Sequence, residues 1–268
     1  MRRSVVTGIG VVAPGGTGRD AFWSLITSGR PAIRRISFFD PSPFRSQIAA
    51  ECDFDPVAAG LSPYAERRSD RYVQFALAAS DEAVSDAELT MGKLARTRLG
   101  VVLGSAIGAS MRLEDEYVAV SDHGRNWLVD PSYGMPLLYE ALIPASLSAE
   151  VARRYGAGGP AAVISTGSTS GIDSIGHAHQ LIQDDEADII ITGASESPIS
   201  PITVACFDAI RATTPHNERP EEASRPFDAD RAGFVLGEGC AVLVVEELDH
   251  ALRRGAPIYC EVVGFANR

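Results

Sequence analysis

Short apolar runs rich in β-branched residues recur along this chain: SVVTGIGVVA (Ser4 to Ala13), RLGVVLGSA (Arg98 to Ala106), AAVIS, ADIIITGAS and GFVLGEGCAVLVVEEL. Between them lie stretches with helical spacing. GRDAFWSLITSG places Phe22, Leu25 and Ile26 on one side and stops at Gly29, and Arg67 to Ala87 reads as one long helix with Tyr72, Phe75, Ala76 and Ala79 aligned. PASLSAEVARRYG, GIDSIGHAHQLIQ and Asp249 to Arg254 are further helices, and IYCEVVGFA is a last strand. Strands without a polar side must be covered on both faces, which requires an α/β architecture with a sheet between helices. Two stretches break the alternation. Pro31 to Pro63 is rich in Pro, Ser and Asp and reads as irregular surface structure with a short strand at Gln47 to Ala50. Ile107 to Pro144, which strings out Trp127, Tyr133, Met135 and Tyr139, is long enough to mark a functional segment or an interface. No linker or internal repeat divides the chain, so residues 1–268 are expected to form one unit.

With 268 residues, 45% of them hydrophobic, the chain buries a sizeable core. A net charge of −11 argues against nucleic acid or an anionic membrane as the main partner. No run reaches the length of a membrane span, and MRRSVVTGIGVVAPGG enters a strand without the apolar block and cleavage site of a signal peptide, so the expected location is cytoplasmic. Cys52, Cys206, Cys240 and Cys260 are far apart in mostly apolar contexts and are expected to be buried free thiols. The histidines form no metal-ligand set, since His177 and His179, two apart on a helix, face different ways.

The segment GGPAAVISTGSTSGIDSIGHAHQLI reads as a buried strand, a tight turn and a helix. Gly167 admits an unusual backbone angle, and Ser168 falls where free N–H groups and the helix dipole stabilise a thiolate or a developing oxyanion. From the turn alone two readings stay open: a nucleophile, or a helix cap made by Ser168, Thr169 and Ser170. A hydrolase elbow, G-x-S-x-G, is not matched, because Thr169 stands at the centre of Gly167-Ser168-Thr169-Ser170-Gly171.

STGSTSGIDSIGHA closely resembles the active-site segment of β-ketoacyl synthases, S-T-G-C-T-S-G-L/I-D-x-I/V-G, with Ser168 in place of their cysteine. VVTGIGVVAPGG resembles the family's opening strand and loop, and LGSAIGAS the segment after its long helix. ITGASESPISPITVACFDAIRATT resembles the strand and loop after the nucleophile helix, and RPFDADRAGFVLGEGCAVLVVEELDHALRRGAPIYCEVVGFA the central block. These matches run in family order over the whole chain. RRISFFDPSPFRSQIAAECDFDP and SRPFDADRAGFVLGEG are most similar to the ketosynthase α subunits of bacterial type II aromatic polyketide synthases, which pair with a chain-length-factor β subunit. The β subunits usually carry glutamine at the nucleophile position, whereas Thr166, Gly167, Thr169, Ser170 and Gly171 follow the α pattern.

The resemblance implies a thiolase-like layered α-β-α-β-α fold, of which this chain supplies the N-terminal half and the start of the second. It implies decarboxylative Claisen condensation, with an acyl group passed from acyl carrier protein to the nucleophile and then attacked by the enolate of a malonyl group. No bound cofactor is implied; phosphopantetheine arrives on the carrier. Ser168 takes the nucleophile's place, its N–H matches an oxyanion-hole donor, and Thr166, Gly167 and Thr169 shape the turn. Ile107 and Phe207 match the acyl pocket, with ordinary core packing as the alternative. Asp230, Arg231 and Glu238 fall in the D-x-x-R-x-G-F-x-x-x-E-G block, where hydrogen-bond and ion-pair support of the site is expected, against a solvated charge face.

The enolate-stabilising histidines of the family lie in H-G-T and G-H motifs of a second half; the present histidines match neither, and the chain stops at GFANR where relatives continue. A serine hydroxyl also needs a base, where a cysteine at a helix end is substantially thiolate near neutral pH. The expectation is therefore a ketosynthase α-type N-terminal portion with a disabled or altered nucleophile. A fatty-acid ketosynthase and a non-catalytic chain-length-factor-like subunit are the alternatives. Expected partners are acyl carrier protein, docking on local arginines such as Arg67, Arg68 and Arg71, and a related β subunit or a second copy, met through ADIIITGAS and the 107–144 excursion. One sheet face is expected to stay uncovered without the second half.

Overall fold

A computed structural model describes residues 2–126 and 129–267; Trp127 lies outside them. The chain opens with β1 (Ser4–Ala13), β2 (Gly16–Thr17), α1 (Arg19–Ser28), β3 (Arg34–Arg35), β4 (Ile48–Ala50), α2 (Pro63–Arg68), α3 (Arg71–Asp86) and β5 (Leu99–Gly104). It continues through α4 (Ser110–Val120), α5 (Leu138–Leu142), α6 (Ser146–Tyr155), β6 (Ala161–Ile164), α7 (Ser170–Gln183) and β7 (Ile189–Glu196). It ends with α8 (Pro201–Ala209), β8 (Leu236–Gly237), β9 (Gly239–Glu247), α9 (Leu248–Arg254) and β10 (Cys260–Val262). Among these elements, no helix is long and apolar enough to cross a membrane.

The main sheet has the order β10-β1-β9-β7-β5-β6, with β2 folded back on β1. β7, β5 and β6 run parallel to one another, while β10, β1 and β9 join antiparallel. The apolar runs explain the layers. Successive side chains of a strand point to opposite faces. Val101, Leu103, Ile189, Ile191, Val242 and Val244 pack under α3 and α6, and Val102, Ile190 and Val245 pack under α7. Tyr72 and Phe75 of α3 are fully buried in the first layer, where each large side chain contributes about 1.5–3 kcal/mol by leaving water. Beside α7 the sheet face stays open as a groove of about 520 Å³ walled by Val11, Phe22, Ile172, Ile175 and Leu243.

Several expectations change. The helix read as Arg67 to Ala87 is two helices, because Ser69 and Asp70 are extended and the Asp70 carboxylate accepts from Tyr72 N as the cap of α3. ADIIITGAS is β7, hydrogen-bonded by β5 on one side and β9 on the other, so its edge is not free; the sheet's edges are β10 and β6, and β6 is a half-exposed strand rather than a buried one. IYCEVVGFA is a strand only over Cys260–Val262, after which Phe265 lays its ring against Gly176 of α7. Cys52 and Cys240 are buried, but Cys206 and Cys260 are exposed. Cys206 is exposed because α8 buries only Thr203 and Val204.

Candidate active site

β5, β6 and β7 end together, and the segments leaving them build one cavity of about 500 Å³. The turn after β6 contributes Ser168, the loop after β5 contributes Ile107, and β7 contributes Ala194 and Glu196. Phe207 of α8 and Leu236 of β8 close the wall.

The turn holds its shape by polar bonds within itself. Gly167 has φ +72°, a left-handed angle that a side chain disfavours. Ser170 Oγ accepts from Thr166 N (3.0 Å) and donates to Gly167 O (2.6 Å). The buried Asp173 carboxylate accepts from the Thr166 hydroxyl and from Thr169 Oγ1 (2.9 Å), while its other oxygen accepts from Asn267 Nδ2 (2.8 Å). Thr166 and Thr169 thus position the turn through Asp173. Thr169 sits at the cap position of α7 and makes no capping bond with its side chain. Ser168, one residue earlier, is not the cap; it is exposed to the cavity just ahead of the helix end. The end of a helix of this length favours negative charge there. Two histidines are engaged elsewhere, His179 Nδ1 with Ser4 Oγ at 2.7 Å and His250 Nδ1 with Glu246 at 2.5 Å.

Ile107 and Phe207 both face the cavity that holds Ser168 and also wall a second, apolar pocket of about 490 Å³ with Leu113, Leu142, Ile202 and Cys206. Ile107 is 42% exposed, which rules out plain core packing. Phe207 is held edge-on by Phe234, ring centres 5.2 Å apart.

Glu238 and its neighbours in the motif part company. The Glu238 carboxylate is fully buried and accepts from Cys52 N (2.8 Å), Ser197 Oγ (2.6 Å) and the Arg71 guanidinium. Asp230 and Arg231 are exposed, and among the described residues neither enters an ion pair. They belong to a turn centred on Asp228, whose carboxylate accepts from Asp230 N (2.8 Å) and whose carbonyl accepts from the Arg231 guanidinium (2.9 Å). Among the described residues, their hydrogen bonds stay within that turn.

The arginines divide too. Arg68 is paired with Glu140 and Glu150, and Arg71 with Glu238, so both are drawn inward; Arg67 is exposed. Sequence reasoning gave no role to Glu196 or Asp173. Both stood inside quoted segments, Asp173 in STGSTSGIDSIGHA and Glu196 in ITGASESPISPITVACFDAIRATT, where it closes β7.

The mixed sheet between helices, with an open turn at the N-terminus of one covering helix, is shared with solved thiolase-like ketosynthases, which superpose with TM-scores of 0.86 to 0.88. Residues 1–251 match the family described as β-ketoacyl synthase, N-terminal domain, and the chain belongs to the β-ketoacyl synthase family. It is 58% identical over 265 residues to a putative polyketide β-ketoacyl synthase 1 of Streptomyces cyaneus, covering 99% of this chain and 63% of that protein. It is 52% identical over 267 residues to the ketoacyl synthase α subunit of the tetracenomycin polyketide synthase of Streptomyces glaucescens, covering 100% and 63%. A solved complex of a type II polyketide synthase acyl-carrier protein with its ketosynthase bound to a hexaketide superposes with TM-score 0.88 at 33% identity, over 98% of this chain and 62% of that one. The ishigamide ketosynthase/chain length factor superposes with TM-score 0.87 at 32% identity, over 98% and 62%. The chain therefore spans less than two thirds of the length of these relatives.

Proposed function

We propose that this chain is the N-terminal β-ketoacyl synthase domain, residues 1–268, of a ketosynthase α-type subunit. The subunit extends polyketide chains by decarboxylative Claisen condensation of acyl and malonyl groups on acyl carrier protein. Ser168 occupies the nucleophile position. The observation that carries this reading is the cavity in which an exposed Ser168, at a helix end, faces Ile107 and Phe207 at the junction with an apolar pocket. An acyl chain attached at 168 would run past Ile107 and Phe207 into that pocket, and the developing oxyanion would face the amides of the turn. Phosphopantetheine on the carrier would deliver the acyl group, with no cofactor resident in the chain. Serine makes the subunit impaired, since no base has been identified for its hydroxyl. The fatty-acid alternative is less well supported: a 3-oxoacyl-[acyl-carrier-protein] synthase 2 of Coxiella burnetii is 40% identical, against 52% and more for the polyketide relatives.

A chain-length-factor-like β subunit, or a second copy, is the proposed partner, and the half-exposed edge of β6 supports association there. Arg67 is the docking arginine that stays exposed for the carrier. We place the protein in the cytoplasm, in keeping with its four unpaired cysteines. The test is mass spectrometry of the full-length Ser168→Cys protein, with its β subunit, after exposure to acyl carrier protein bearing a labelled acyl group. Label is expected on residue 168. Label on Cys206, or none, overturns the assignment.

A further inference from the structure

We propose that Glu196 is a positioning residue whose carboxylate fixes the loop carrying Ile107 and thereby sets which acyl chains the site accepts. The inference rests on the reading of position 168 given above. β5 and β7 lie side by side and parallel, with Gly104 opposite Ala194, so the last residue of β7 reaches the loop that leaves β5. There one carboxylate collects four donors. Ala106 N donates to Oε2 at 2.5 Å, Ile107 N to Oε2 at 3.2 Å, Gly108 N to Oε1 at 3.1 Å and Ser105 Oγ to Oε1 at 3.0 Å.

Three successive amides aimed at one anion form a concave nest, whose converging N–H dipoles the negative charge offsets. Hydrogen bonds to a charged group are about twice as strong as neutral ones, so this carboxylate dominates the loop's conformation. Gly108 adds a second constraint with φ +76°. Ile107 is carried on the middle of the nest and stands between the cavity of Ser168 and the apolar pocket, on the wall of both. Its position is set by the backbone, because at 42% exposure it has no dense packing to hold it. Removing the charge of Glu196 therefore shifts Ile107 without touching the nucleophile turn, whose bonds run to Asp173 and Ser170.

The test compares Ser168→Cys with Ser168→Cys carrying Glu196→Gln, each full-length and with its β subunit. Glutamine keeps size and one acceptor oxygen but presents an amide NH₂ to the nest. Hydrogen exchange of the amides of residues 106–108 is expected to speed up by about tenfold or more. The ratio of long-chain to acetyl transfer onto residue 168, from carriers bearing each, is expected to move by at least about threefold. Gly108→Ala, which meets open space and strains only the backbone, must move the same ratio if Glu196→Gln cannot be purified. Unchanged exchange overturns the proposal, and so does faster exchange with an unmoved ratio, since a merely structural role gives that result. If Ser168→Cys with intact Glu196 takes up no acyl group from any carrier, the functional reading fails instead.

Discussion

The guanidinium of Arg71 grips the carboxylate of Glu238 at two points, Nε to Oε2 at 3.0 Å and Nη2 to Oε1 at 2.9 Å. The pair ties α3 to the start of β9, and the guanidinium also lies over the rings of Phe75 (4.8 Å) and Phe38 (5.1 Å). Arg71→Met leaves a buried carboxylate unpaired and is expected to cost about 3–5 kcal/mol. Adding Glu238→Gln removes the stranded charge while keeping an acceptor for Cys52 N, so the double variant should be more stable than Arg71→Met alone. Chemical denaturation of the single and double variants checks the order. A double variant less stable than Arg71→Met would mean that Glu238 is held by its other bonds and not by Arg71.

Asp173 anchors the turn that presents Ser168. Asp173→Ala strands the hydroxyls of Thr166 and Thr169 and is expected to lower stability by about 1–3 kcal/mol, with Asp173→Asn losing less because one oxygen still accepts. Thermal unfolding gives the order of the two variants. Hydrogen exchange should show the loosening confined to residues near 166–170, so faster exchange spread evenly over the sheet would assign Asp173 to the core instead.

The strands were legible because β-branched apolar runs have little else to become in a chain with turns of small residues between them. The break between α2 and α3 was not, since Ser69 and Asp70 fit helical spacing as well as they fit a cap. Sheet order was invisible for a different reason. ADIIITGAS and AAVIS look alike locally, and only the placement of β9 beside β7 leaves β6 at the edge. Glu196 escaped notice because its partners are some ninety residues away in sequence, at 105–108. Asp230 and Arg231 shared a motif with Glu238, but sequence proximity did not carry them into the same environment: Glu238 lies at the head of a buried strand and they lie on an exposed turn.

Asp188, at the foot of β7, receives Arg98 through Nε (3.2 Å) and Nη2 (2.9 Å) and also pairs with Arg2. Hydrogen bonding by Arg98, joined by Arg2, holds its carboxyl from an ordinary 3.8 down to about 2. A depressed carboxyl stabilises the fold above its unfolded-state pKa and loses that contribution as pH falls through the folded value. About 2 kcal/mol should therefore disappear between pH 4 and pH 2. Asp188→Asn is expected to cost that amount at neutral pH and to flatten the acid limb of the stability curve. Parallel acid limbs for the two proteins would show that other carboxylates govern acid unfolding.

At Ser168 the structure separates shape from chemistry. The turn is held by the backbone angle at Gly167 and by hydrogen bonds of Ser170 and Asp173 that do not involve the Ser168 hydroxyl, so Ser168→Cys should leave the fold and its melting temperature nearly unchanged. The rate should change greatly. A thiol at the N-terminus of α7 ionises near neutral pH, whereas the serine hydroxyl stays protonated, and an oxygen ester is a poorer electrophile than a thioester in the second step. Loading and condensation are both slowed, and the penalties multiply. On the proposed function, the protein carrying Ser168, assayed with the proposed β subunit, is expected to condense at most on the order of a thousandth as fast as Ser168→Cys, about 4 kcal/mol of barrier. Product formation from acyl and malonyl carrier proteins measures the ratio. Equal rates for the two forms would remove residue 168 from the chemistry and leave the turn as a structural element only.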